Sequence, residues 1–134
     1  MEDRTQAREA AFRALFQLEF IEDEQQAIDR ALEDYDLKSR LVRRVEDVVK
    51  GTRQRLTEID EIIQAHLKAG WKLSRLALAD RNILRLAVYE MRFSEKALAP
   101  GIAINEAVNL AKRYGSSDDS GKFINGVLSA IAEN

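Results

Sequence analysis

The stretch Ala103–Leu128, AINEAVNLAKRYGSSDDSGKFINGVL, sets the architecture of this chain. Its apolar residues recur at helical spacing on both sides of a short polar loop. Ile104, Ala107, Val108, Ala111 and Tyr114 share one face of the first segment, and Asn105, Asn109 and Lys112 share the other. Gly115, directly after Tyr114, predicts a helix end in the left-handed conformation, which glycine adopts without steric penalty. Ser116–Ser120 reads as loop, with Asp119 or Ser120 placed to cap the helix that follows. That helix buries Ile124, Val127, Leu128 and Ile131 and turns Lys122, Asn125 and Ser129 outward. The result is a helical hairpin with one aromatic residue on each side of its loop, Tyr114 and Phe123.

Upstream of the hairpin, Ala99-Pro100-Gly101 reads as a tight turn. Before it, Leu73, Leu76 and Leu78 lead into Asp80 and a helix that buries Ile83, Leu84, Ala87, Val88 and Met91. Arg81, Arg85 and Arg92 fall together on another face of this helix. From Lys72 to Arg85 four basic residues meet one acidic residue, the most basic window of the chain. Gly70 closes the preceding segment, and Trp71 is expected to plug the core at that turn. The stripe Leu41, Val45, Val48, Val49, Thr52, Leu56, Ile59, Ile63 and Leu67 predicts either one long helix or two abutting ones between Ser39 and His66, with any break near Thr57. Gly51 inside it costs about 1 kcal/mol relative to alanine, which points to a kink or a close helix crossing.

A short helix carries Ala27, Ile28, Ala31, Leu32 and Tyr35, opened by an Asp23–Gln26 capping box. From Thr5 to Ile21 two apolar stripes run side by side: Ala7, Ala11, Leu15 and Leu18, then Phe12, Phe16 and Phe20. Only Gln6, Glu9, Arg13 and Gln17 form a solvated wedge. A helix apolar around most of its circumference is buried between layers, so this one is expected at the centre. No strand pattern competes anywhere. The expected class is all-α, six or seven helices in one domain spanning residues 1–134.

The bulk numbers exclude several functions. There is no Cys in 134 residues, which removes disulfides, redox pairs and cysteine zinc sites. His66 is the single histidine, too few for a multi-histidine metal site or triad chemistry. No catalytic residue, metal ligand or cofactor is therefore assigned, and the chain is not expected to be an enzyme. No apolar run approaches a bilayer span and the first residues lack a signal-peptide pattern, so a soluble cytoplasmic protein without membrane partners is expected. The formal net charge of −2 gives no global attraction to polyanions, and nucleic-acid contact would need a local basic patch.

The hairpin offers such a patch. Tyr114 and Phe123 can present ring faces to unstacked bases, each worth about 1–3 kcal/mol in single-strand binders. Lys112, Arg113 and Lys122 can hold phosphates, and the N-terminus of the last helix adds backbone N–H groups. Asp118 and Asp119 oppose this with negative charge in the same loop, and aromatics at helix ends also serve as core. Arg4 and Arg8, near the edge of the first helix's apolar arc, are either ion-paired or snorkelling side chains, or an arm for phosphates. Arg81, Arg85 and Arg92 are either a solvated face or the docking surface of a protein-only adaptor for an acidic partner. The wide apolar arc of the first helix is also compatible with a homodimer.

The strings DRNILRLAVYE (Asp80–Glu90), INEAVNLAKRYG (Ile104–Gly115) and KFINGVL (Lys122–Leu128), in this order and spacing, closely resemble the NusB family of bacterial transcription antitermination factors. Ala7-Arg8, Ala11 and Leu15-Phe16-Gln17 fit that family's opening helix, while Asp23–Leu67 matches only in pattern. The resemblance implies two small helical bundles sharing the first helix. It also implies pairing with the ribosomal protein NusE, joint binding of boxA-type single-stranded RNA, and a place in the RNA polymerase antitermination complex on ribosomal RNA operons. Carried over by position, Arg4, Arg8, Tyr114, Lys122 and Phe123 would contact RNA. Asp80, Arg81 and the exposed side of their helix, with Arg85 and Tyr89, would face NusE. The N-terminal arginines here are only Arg4, Arg8 and Arg13 among acidic neighbours, sparser than is common in the family. RNA binding is therefore expected to be shared with a partner, whose second contact raises effective concentration. Similar helical domains also occur fused to RNA cytosine methyltransferases. With no catalytic Cys and no cofactor-binding βαβ segment, the free-standing factor is the expected form.

Overall fold

The structure, a computed structural model, describes residues 2–134, with side chains from Arg4 onward. Seven α-helices follow one another: α1 Glu2–Gln17, α2 Glu24–Leu32, α3 Ser39–Gln54, α4 Leu56–Ala65, α5 Leu78–Val88, α6 Pro100–Tyr114 and α7 Ser120–Glu133. A 3-10 turn spans Leu73–Arg75, and α5 runs on into a π-helical stretch, Tyr89–Phe93. No strand occurs among the described residues, as the unbroken helical periodicity predicts.

α1 packs against α2 and α3 on one side and α5 on the other, and its side chains reach α6 through Phe12–Tyr114 and Arg8–Glu106. It is the shared helix of two bundles. Four alanines, Ala7, Ala10, Ala11 and Ala14, are at most 3% exposed, so neighbouring helices approach its backbone closely. α5 is a second shared element. Asn82, Ile83, Leu84, Leu86, Ala87 and Val88 are all buried, and α5 touches α1, α4, α6 and α7. Truncating one such buried Leu or Ile to Ala costs about 2–5 kcal/mol.

Several local expectations are corrected. α1 ends at Gln17, and the chain tightens through Glu19 N–H to Phe16 O and Phe20 N–H to Gln17 O bonds. This breaks the 3.6-residue phase: Phe20 turns outward, 69% exposed, while Glu19 turns in to accept from Arg81, Arg85 and Asn82. Glu9, assigned to the solvated wedge, is buried and accepts from the Tyr35 hydroxyl and pairs with Arg113. The α3–α4 break falls at Arg55, two residues before Thr57. Gly51 marks a close crossing: a Cβ there would sit 2.4 Å from the Tyr89 hydroxyl oxygen and 2.5 Å from its ring.

Pro100 opens α6 as a first-turn residue after Ala99, where its missing N–H costs nothing, rather than forming an isolated turn. Gly115 is extended, with φ −60° and ψ 156°, so no left-handed cap forms. Its glycine is required by contact instead, since a Cβ would lie 2.4 Å from the Ala111 carbonyl oxygen and 2.6 Å from Ser120 Cβ. Trp71 is not a core plug. It is 49% exposed, because Gly70 (φ 87°) turns the chain out of α4 before the next apolar anchor, Leu73, is reached.

Candidate nucleic-acid interface

The α6–α7 loop is held from beneath by α5. Asp80, in the first turn of α5 and 7% exposed, accepts from Ser116 N–H at 3.2 Å and from the Ser116 hydroxyl at 2.6 Å. Ser120 Oγ accepts from Ser117 N–H at 3.2 Å. Neither Asp119 nor any other side chain caps α7 in the usual way, so Ser120 is the loop's internal acceptor rather than a helix cap. These bonds fix the direction in which the head of α7 presents Lys122 and Phe123.

Lys122 borders two depressions. One, of about 570 Å³, is polar and lies between Lys112, Lys122, Asn125 and the loop residues Ser116–Asp118. The other, of about 510 Å³, is mostly apolar and is lined by His66, Lys68, Trp71, Asp119, Lys122 and Phe123. In the second groove the Phe123 ring stacks on Trp71, with centroids 5.6 Å apart and planes 27° from parallel. His66 is fixed behind it, its Nδ1 2.7 Å from Ile62 O and its Nε2 3.0 Å from the Asn134 amide. Those partners make Nδ1 the protonated nitrogen, with Nε2 accepting.

The two hairpin aromatics do not share one platform. Tyr114 packs against Phe12 of α1, centroids 5.0 Å apart, and borders a separate apolar depression with Phe16 and Ala79. Burial, and then the nearby Glu9 carboxylate, raise the Tyr114 hydroxyl pKa above its ordinary value. Arg113 lies over the Tyr114 ring at 5.5 Å and pairs with Glu9 while remaining largely exposed. Lys112, Lys122 and Arg4 are exposed. Arg8 is not an open arm. Its guanidinium donates to Glu90 at 2.8 and 3.0 Å and pairs with Glu106 at 3.1 Å, leaving the side chain 8% exposed. The two carboxylates hold Arg8 largely withdrawn from solvent.

The expected partner face is likewise occupied from within. Asp80 holds the loop. Arg85 makes a two-pronged pair with Asp60 at 2.8 and 2.9 Å, and Arg81 pairs with Glu19 at 3.1 Å. Tyr89 is half-buried over Gly51. Arg92 donates to the Ile131 carbonyl at 2.8 Å. The Arg81 and Arg85 half of the basic window is thus an intramolecular charge network, because Glu19 and Asp60, distant in sequence, fold onto it, while Lys72 and Arg75 are exposed. Trp71 and Lys68 were missed as surface-site residues. The signal available was a tryptophan after a glycine, between Lys68 and Lys72 and outside any amphipathic segment.

No group of three or more metal-ligating side chains occurs among the described residues. No helix there is long and apolar enough to cross a membrane. An all-helical body with stacked aromatics rimmed by lysines defines a small all-α binding module. A family model described as "NusB family" matches residues 5–133. The chain is 43% identical over 130 residues to a transcription antitermination protein NusB of Bdellovibrio bacteriovorus, covering 97% of this chain and 95% of that protein. The fold matches a T. maritima NusB structure with a TM-score of 0.87 at 42% identity, covering 98% of this chain and 91% of that one. It matches equally, at 0.87 and 33% identity, a chain of the crystal structure of antitermination factors NusB and NusE in complex with dsRNA, covering 99% and 98% of the two chains. The chain belongs to the NusB family.

Proposed function

We propose that this protein is a cytoplasmic transcription antitermination factor, a single domain over residues 1–134 that binds boxA-type RNA together with NusE as part of the RNA polymerase antitermination complex. The observation that carries the RNA assignment is the head of α7, where the Phe123 ring and the exposed Lys122 stand side by side, with Lys112 across the loop. Phe123 supplies stacking, and the lysines, with Arg4 and the exposed part of Arg113, supply phosphate contacts. Tyr114 packs on Phe12 beside a separate depression. The support for a partner is electrostatic. With a net charge of −2 and Asp118 and Asp119 in the loop, the chain alone gains little from counterion release. Catalysis forms no part of this reading.

A protein-only adaptor docking through Arg81, Arg85 and Arg92 is less well supported, since Arg81 and Arg85 are paired internally with Glu19 and Asp60. The test is a titration of boxA-type RNA in the presence of NusE at fixed salt. Phe123→Ala weakens binding about 5- to 150-fold, the equivalent of one stacking contact. Arg13→Ala, whose guanidinium is engaged by Asp34 and Tyr35, changes it little. Equal and negligible losses would remove the hairpin assignment.

A further inference from the structure

We infer that Trp71 is a second base-binding residue, forming with Phe123 an aromatic clamp that holds one unpaired RNA base; this rests on the RNA-binding reading above. Tryptophan is the costliest side chain to leave in water, yet Trp71 is half exposed, and the fold gives it no core to enter. Phe123 covers one part of the indole at 5.6 Å and 27° from parallel, an offset arrangement favoured between aromatic rings. The stack is therefore already ordered before any ligand arrives, which reduces the entropy lost on binding.

A base laid on the open part of the indole continues the stack as a third layer. The charges around the rings suit a phosphate backbone. Lys68 and Lys122 flank the groove against the single carboxylate of Asp119, and Lys72 is exposed on the far side of Trp71. An apolar protein segment would use the rings but not the lysines. A polyanion with flat unpaired bases uses both. Two independent anchors hold the clamp in place. Gln64 accepts from Leu73 N–H and donates to the Trp71 carbonyl, both at 2.8 Å, and the Asp80–Ser116 bonds hold the start of α7. The two aromatics come from the turn after α4 and from the first turn of α7, far apart in sequence, and the packing of α4 against α7 brings them together.

Trp71 is the only tryptophan, so its fluorescence reports the site in the unaltered protein. The experiment titrates boxA-type single-stranded RNA, with and without NusE, following tryptophan emission and, in parallel, anisotropy of end-labelled RNA. The expected result is saturable quenching whose midpoint coincides with the anisotropy midpoint, absent with a duplex of the same sequence. Trp71→Ala weakens RNA binding about 5- to 150-fold, while Trp71→Phe recovers most of it. Circular dichroism of both variants matches the parent, as expected for a half-exposed turn residue. RNA binding by the parent with emission unchanged, and Trp71→Ala within twofold of the parent, overturns the clamp and leaves the RNA reading intact. Emission that responds to NusE alone and not to RNA overturns the clamp in favour of a protein surface. Absence of any RNA binding by the parent with NusE overturns both.

Discussion

Gly51 owes its place to the Tyr89 side chain, which lies where its Cβ would be. Gly51→Ala gains about 1 kcal/mol of helix propensity and loses about 1–3 kcal/mol by overpacking. Urea unfolding is expected to show a net loss of up to about 2 kcal/mol, whereas a gain would mean that Tyr89 swings aside freely. The three tyrosines give a second test. Burial first, and then the hydrogen bond to Glu9, push the Tyr35 hydroxyl from 10.0 up to about 12, and burial raises Tyr89 and Tyr114 as well. The folded chain thus keeps these protons longer than the unfolded chain does. The contribution of Tyr35 to stability is whole below pH 10.0 and is lost as pH rises through about 12, and those of Tyr89 and Tyr114 fall in the same direction. Tyrosinate absorbance should therefore rise late in the folded protein, and denaturant stability should be lower at pH of about 11 than of about 9. Ordinary titration near 10 in the folded state would disprove this. Residue identity made Gly51 legible as a close crossing, because a glycine inside a helical stripe needs a reason. It did not make Arg8 legible: whether an arginine faces phosphate or carboxylate depends on Glu90 and Glu106, which arrive from distant helices.

At the scale of elements, α2 begins where Asp23 accepts from Gln26 N–H at 3.0 Å. Asp23→Ala leaves that donor without its cap and should cost about 1 kcal/mol by thermal or denaturant unfolding, with Asp23→Ser restoring most of it. No change on Asp23→Ala would show that water replaces the cap at no cost. The buried faces of α3 and α7 were legible because 3.6-residue periodicity states which side is apolar, whereas α6 buries Ala103 and Leu110 and leaves the expected Ile104, Val108 and Tyr114 half-buried. Ends were less legible. α1 stops at Gln17, although its aromatic stripe continues to Phe20, because Glu19 is drawn to Arg81, Arg85 and Asn82 across a gap of more than 60 residues. Gly115 was assigned a left-handed φ from its type alone, while the structure uses its missing side chain. Trp71 belongs to no periodic segment, so no face could be assigned to it, and its partner Phe123 lies 52 positions on.

The whole molecule is a nearly neutral helical body in which several arginines are drawn into ion pairs within the fold. Arg8 and Arg44 meet Glu90, Arg81 and Arg85 meet Glu19 and Asp60, and Arg13 and Arg113 meet Asp34 and Glu9. Beside the aromatic stack at the head of α7, Lys68, Lys112 and Lys122 stand available to a polyanion. Such a surface gives stacking and orientation but few released counterions, so tight binding needs a second set of contacts on the same RNA. The sequence already carried this balance in its net charge and its sparse N-terminal arginines. Which arginines are held by carboxylates became visible only once the ion pairs closed. The most direct measurement is the affinity for boxA-type RNA across a range of salt concentrations, with and without NusE. Weak binding with a shallow slope alone, becoming tighter and steeper with NusE, is expected. Tight, salt-steep binding by the protein alone, or no gain from NusE, would mean that the shared-surface mechanism is wrong.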